Sequence, residues 1–133
     1  MKPKNDLQPQ AAIKWLEKAK HDLDTALLNH RHGGYTDVSC YFSHQTVEKS
    51  LKAFLIYHSI RFQRIHHLPK LLKMCIKQNR KFSQFLEYCR ILNDYYIETR
   101  YPMDIPIAYT KKEAQEAIYL AEQIYNFVKK ELP

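Results

Sequence analysis

Apolar positions recur along this chain with a period near 3.6 residues, and the recurrence breaks at four places, which predicts five helices. The first runs from about Gln10 to His30 on a stripe of Ala12, Trp15, Leu16, Ala19, Leu23, Ala26 and Leu27, behind a flexible tail at residues 1–9. Gly33-Gly34 ends it. Asp37 is a suitable N-cap for a second helix reaching about Ser59, with Tyr41, Leu51, Phe54 and Leu55 turned to the core. Arg61 to His67 reads as a basic loop. A third helix spans Leu68 to Gln78 with Pro69 in its first turn, where a missing N–H is harmless, and Asn79 marks its end. The fourth spans about Ser83 to Thr99 through Phe85, Leu86, Cys89, Leu92, Tyr95 and Tyr96, and it closes before the Pro102 to Pro106 segment. Thr110 and Glu113 have capping-box spacing. The last helix then continues to about Glu131 on Ala114, Ala117, Ile118, Ala121, Ile124, Tyr125 and Val128. The expected class is all-α, with residues 10–133 forming one up-and-down bundle.

Composition agrees with that pattern. Only two of the 133 residues are glycine, and helix formers are abundant. A chain of this length buries a core without staples. Cys40, Cys75 and Cys89 are odd in number and lack C-x-x-C spacing, which indicates neither a disulfide framework nor a zinc ribbon. No run approaches the roughly twenty apolar residues of a membrane helix, and Met1 to Gln10 lacks a signal-peptide block, so a cytoplasmic chain is expected. The formal charge of +7 suits a polyanionic partner, and it equally suits a solvated basic surface.

One stretch of the second helix departs from the expected polarity. Between Ser43 and Leu55 it sets His44, Gln45, Glu48, Lys49 and Lys52 into a segment that otherwise reads as buried. Glu48 and Lys52 stand four apart in the favourable order for an ion pair. With Asp22 on the first helix, Gln45 and Glu48 form a polar seam, while Lys49 and Lys52 serve either that seam or an anion. Arg100 is the other candidate anion contact, because Tyr95, Tyr96 and Tyr101 offer planar rings around it for base stacking. The competing reading is a tyrosine-lined core and an arginine held by the helix dipole. His44 reads as structural, His66 as an N-cap or turn contact for the third helix, and His67 as exposed. The cluster His30, Arg31 and His32 compensates a helix C-terminus. Neither His66 nor His67 has the carboxylate or cysteine neighbours of a metal ligand, and no metal or cofactor is expected.

Four motifs, A-x-x-D-L from Ala19, Q-x-x-E-K-x-L-K-A from Gln45, H-x-L-x-x-L from His66 and Y-Y-x-x-T-R-Y-P from Tyr95, occur in an order and spacing that resembles the HEPN domain family over about residues 10–130. The resemblance implies a helical bundle, commonly dimeric, that works with nucleotides or RNA, often beside a minimal nucleotidyltransferase in a toxin–antitoxin pair. It also implies, for the family's ribonucleases, an R-x4-6-H site in which histidine moves the proton and arginine steadies the phosphate. Arg100 occupies the expected place, but Asp104, Ile105, Pro106 and Ile107 follow where the histidine would stand. A literal match runs from Arg61 to His66 and His67, in the loop before the third helix. The signature therefore fails where the resemblance would put it, which favours a nucleotide- or RNA-binding partner module, with Arg100, Tyr96, Tyr101, Lys49 and Lys52 as its contacts. The alternative is a metal-independent ribonuclease with a non-standard pair, Arg100 and His66. A second alternative is a purely structural dimerisation domain.

Overall fold

The computed structural model describes residues 4–96 and 108–133. Five α-helices follow in order: α1 (Lys4–Arg31), α2 (Thr36–Tyr57), α3 (Leu68–Gln78), α4 (Leu86–Asn93) and α5 (Lys111–Glu131). A 3-10 segment, Arg80–Phe85, joins α3 to α4, and there is no strand among the described residues. The all-α expectation holds.

α2 is the central element, packed against α1 most extensively and then against α5. Its contacts with α1 run in opposite directions along the two chains. The Ser39 hydroxyl donates to the Ala26 carbonyl, Lys49 reaches Asp22, and Lys52 reaches Trp15, so α1 and α2 are antiparallel. Val47, Leu51, Phe54 and Leu55 of α2 form the core with Ala19, Leu23 and Ala26 of α1 and Ala117, Ala121, Ile124 and Val128 of α5. The alanines of α1 and α5 let the backbones approach closely, which is why α2 can be buried on nearly every side.

Two helix ends are closed by the same device. At the end of α1, Gly33 has φ of +70°, its N–H donates to the His30 carbonyl, and the Gly34 N–H donates to the Asn29 carbonyl. At the end of α2, Ser59 takes the left-handed position with φ of +57°, its N–H donating to Ile56 and that of Ile60 to Leu55. Both are Schellman motifs, in which the left-handed residue turns the chain back so that the last carbonyls are satisfied.

The boundaries differ from the sequence pattern at several points, among them the end of α4, which is Asn93 rather than about Thr99. α1 begins at Lys4 rather than at Gln10 and carries Pro9 inside its second turn, where proline has no N–H to donate to the preceding turn. α2 starts at Thr36 with Tyr35 in the cap position and no side-chain cap bond, so Asp37 lies in the first turn, where its charge faces the helix dipole. The N-cap of α3 is His67, whose Nδ1 accepts the Lys70 N–H at 3.3 Å; His66 is occupied elsewhere. The fourth predicted helix is divided, because the Asn79 side chain caps the 3-10 segment by accepting from Lys81 N–H. That division rotates Leu86 outward to 50% exposure while Phe82 and Phe85 enter the core. The capping box of Thr110 and Glu113 is present with both hydrogen bonds.

Candidate functional site

Glu48 is the centre of the polar seam, 3% exposed on the buried face of α2. Its Oε2 accepts from Lys52 Nζ at 2.8 Å and from His66 Nδ1 at 2.9 Å. Its Oε1 has no hydrogen-bond partner among the described residues, and His44 Nδ1 lies 3.8 Å from it. A buried carboxylate is tolerable only when paired, and here the pairing comes from one turn of its own helix and from the loop ahead of α3.

His44 is fully buried. Desolvation lowers its pKa to about 4, against the opposing pull of Glu48, Gln45 and the His66 carbonyl. The ring is therefore neutral near pH 7 and carries one N–H. Its Nε2 lies 3.1 Å from the His66 carbonyl oxygen, which can only accept, so the proton is on Nε2. Nδ1 then carries the lone pair; it lies 3.1 Å from Oε1 of Gln45, and that contact becomes a hydrogen bond only with the Gln45 amide turned end for end, so that its N–H donates. This ring thus fixes the backbone of His66 while Glu48 fixes its side chain.

Held in this way, His66 presents a defined face. In the neutral ring, donation from Nδ1–H to Glu48 leaves the lone pair on Nε2, which has no partner among the described residues, and the side chain is 41% exposed. The ring is stacked on Tyr96, with centroids 4.7 Å apart and planes 14° from parallel. Tyr96 also lies 5.2 Å from the His44 ring and 6.5 Å from Tyr41. Tyr41 of α2, Tyr96 after α4 and His66 of the loop before α3, backed by the buried His44 ring, therefore make an aromatic shelf with an oriented imidazole at its edge. Such a shelf can stack a base, and a carboxylate-held imidazole can accept a proton.

The other sequence candidates fall in different places. Lys52 is 5% exposed, ion-paired to Glu48, and its Nζ lies 5.6 Å from the centre of the Trp15 ring and 5.7 Å from that of Phe62. It is a seam residue, and its charge is answered inside the protein by Glu48. Lys49 donates to Asp22 at 2.7 Å, tying α2 to α1. Arg100 and Tyr101 lie outside the described residues. The sequence pattern gives Tyr41 only a core role, and the signal that marks it for the shelf is its spacing of three residues before His44 on one helix face. Nothing in the local sequence pairs Glu48 with His66, because the contact spans eighteen residues and a loop.

The thiols are not chemical candidates. All three are buried, and burial pushes Cys89 up to about 12 and Cys75 higher still. No cluster of three or more metal-ligating side chains occurs among the described residues. None of the described helices is long and apolar enough to cross a membrane.

The fold and the sequence both have known relatives. The chain is 32% identical to TT1696 from Thermus thermophilus, whose crystal structure superposes with a TM-score of 0.79 over 91% of this chain and 98% of that one. It is 27% identical to ST0689, an archaeal HEPN homologue, with a TM-score of 0.74 over 92% of this chain and 98% of that one. A further relative is the "Putative toxin MJ1304" of Methanocaldococcus jannaschii, 28% identical over 129 residues, covering 86% of this chain and 84% of the relative. The HEPN domain model matches residues 12–132, from the first buried alanine of α1 to the end of α5, and the chain belongs to the HEPN domain family.

Proposed function

We propose that this HEPN chain is the nucleotide- or RNA-binding member of a toxin–antitoxin pair, acting as a homodimer beside a separately encoded minimal nucleotidyltransferase. The observation that carries the reading is the His66 ring, stacked on Tyr96 and pinned through Nδ1 by the buried Glu48. A planar surface prepared in the absence of ligand lets a base stack without first ordering the side chains, and that saves binding free energy. The net charge of +7 supplies attraction for phosphate. The relative named as a toxin supports the toxin–antitoxin setting. Arg100, adjacent in sequence to Tyr101 and four residues after Tyr96, is the proposed phosphate contact.

Fluorescence anisotropy with labelled single-stranded and hairpin RNA tests this reading. Tyr96→Ala and His66→Ala are expected to weaken binding by about tenfold each, the scale of one lost stacking contact. Affinities unchanged in both variants would refute the shelf as the binding surface.

The Glu48–His66 pair favours a second reading, the metal-independent ribonuclease. In it Nε2 of His66 takes the proton of a ribose 2′-OH, and the 2′-oxygen attacks the neighbouring phosphorus. The 5′-oxygen then leaves with a proton returned from the imidazolium, and a 2′,3′-cyclic phosphate remains. Arg100 would steady the charge on phosphorus. Incubation of RNA with the chain in chelator distinguishes the two. Fragments ending in a cyclic phosphate, lost in His66→Ala, establish the nuclease; bound but intact RNA leaves the binding module.

A further inference from the structure

On the outer side of the seam, Lys14, Trp15 and Lys18 of α1 and Lys49 of α2 line an open pocket of about 380 Å³. Trp15 is half-buried, and Lys14 and Lys18 are exposed and one turn apart on either side of it. Lys49 is neutralised by Asp22, but no carboxylate lies within ion-pair distance of Lys14 or Lys18 among the described residues. Two unanswered ammonium groups thus flank an indole beside a recess. An indole offers the strongest stacking surface of any side chain, and ammonium groups at its rim match the phosphate attached to whatever base it stacks. Contacts of 5.6, 2.8 and 2.9 Å lead from the Trp15 ring through the buried Lys52 and Glu48 to His66, so one ion-pair seam backs both the pocket and the aromatic shelf.

We propose that the Trp15 pocket is a second nucleotide subsite. It takes a base on the indole with its phosphate on Lys14 and Lys18, and a single strand long enough to pass between the two places sets one nucleotide on the shelf and another in the pocket. The proposal rests on the nucleotide-binding reading of the shelf and adds to it a length requirement: a strand that bridges both places binds more tightly than a mononucleotide. The nucleotide in the pocket is either a free mononucleotide or a residue of a strand, since both present the same base and phosphate.

Trp15 is the one tryptophan of the chain, so its emission reports on this pocket alone. Adenosine 5′-monophosphate and a short fluorescently labelled oligoadenylate serve as probes, with tryptophan quenching read beside the anisotropy of the labelled strand. Quenching by the oligoadenylate at much lower concentration than by the mononucleotide supports a strand subsite as proposed. Comparable quenching by both also supports a base site but overturns the bridging arrangement. In the Lys14→Gln/Lys18→Gln double variant, whose positions are exposed and make no ion pair among the described residues, oligoadenylate binding is expected to weaken about tenfold. Trp15→Phe keeps an aromatic ring and should bind within about threefold of the parent, whereas Trp15→Ala should lose about tenfold. If anisotropy shows tight binding while the emission is unmoved and the double lysine variant binds normally, the pocket proposal is overturned and the shelf stands. If neither probe binds and no anisotropy change is seen, both fail together.

Discussion

At Glu48 one carboxylate oxygen accepts from two cationic or potentially cationic donors while the other accepts from none among the described residues, and the whole group is shut away from water. Removing the carboxylate would leave Lys52 charged, buried and without its partner, a situation that costs about 3–5 kcal/mol in comparable buried pairs. Glu48→Ala is therefore expected to lower the urea unfolding free energy by about that amount. Glu48→Ala combined with Lys52→Met is expected to cost clearly less than Glu48→Ala alone, since the stranded charge is gone and methionine fills the space between Trp15 and Phe62. A double variant that is as unstable as the single one would mean the seam is held by packing and not by charge. His44 yields a pH dependence whose sign follows from its burial. Its folded pKa lies near 4, below the unfolded value near 6.5, so between these the unfolded chain binds a proton that the native state refuses. The contribution is fully present above about pH 6.5, is lost as pH falls towards 4, and amounts to about 3 kcal/mol. Unfolding free energies measured from pH 7.5 to 4.5 should fall accordingly, and His44→Asn should flatten that part of the slope. At this scale the Glu48–Lys52 pair was readable from its four-residue spacing, as was the oddity of His44 and Gln45 in an apolar segment. The roles of His66 and His67 were not, because which of two adjacent histidines caps α3 and which turns to Glu48 depends on where α2 lies.

Helices α1 and α2 end with the same Schellman geometry but with different residues in the left-handed position. Gly33 adopts φ of +70° without cost, whereas Ser59 holds φ of +57° against the clash of its Cβ with the backbone. Ser59→Gly relieves that strain and is expected to stabilise the protein by up to about 1 kcal/mol, read as a higher urea midpoint at constant slope. A loss of stability would show that the exposed Ser59 side chain contributes more than its backbone strain removes. Gly34 is required for another reason. A Cβ there would lie 1.9 Å from Oδ1 of Asn29, whose amide holds the Tyr35 carbonyl and the Ser39 hydroxyl and so fixes the start of α2. The two adjacent glycines were legible as a helix stop, and the Thr110–Glu113 box as a helix start, because both depend on contacts within a few residues. The break between the 3-10 segment and α4 was not legible. The apolar period of Phe85, Cys89 and Leu92 fits one continuous helix, and the interruption comes from the Asn79 cap together with the burial of Phe82 against Phe54 and Phe127.

For the molecule as a whole, charge and topology act together. On the proposed RNA-binding reading, the net charge of +7 makes association weaken as salt rises. The Lys14→Gln/Lys18→Gln variant should make the plot of log affinity against log salt shallower by about 1.4, or two single-strand phosphate contacts at about 0.7 each. An unchanged slope with an unchanged affinity would place the phosphates elsewhere on the surface. The arrangement that brings the candidate site together depends on three separate ties. The Leu68 N–H donates to the Asn93 side chain, joining the start of α3 to the end of α4 and setting His66 beside Tyr96. The Thr36 hydroxyl donates to the Tyr109 carbonyl, joining the start of α2 to the approach to α5. Lys49 and Asp22 hold α2 in register on α1, which places Trp15 over Lys52. By itself the sequence determined the helical class, most helix ends, the buried stripes and the HEPN motifs, because periodicity, capping and short-range ion pairs are written within a turn or two of chain. Only the tertiary structure decided that Lys52 is sealed inside, that His66 faces solvent from the seam, and that Trp15 lines a basic pocket on its outer side. Those outcomes depend on which helix faces meet across the bundle, and the free energy of burying a charge or a ring is set by neighbours that lie far away in the chain.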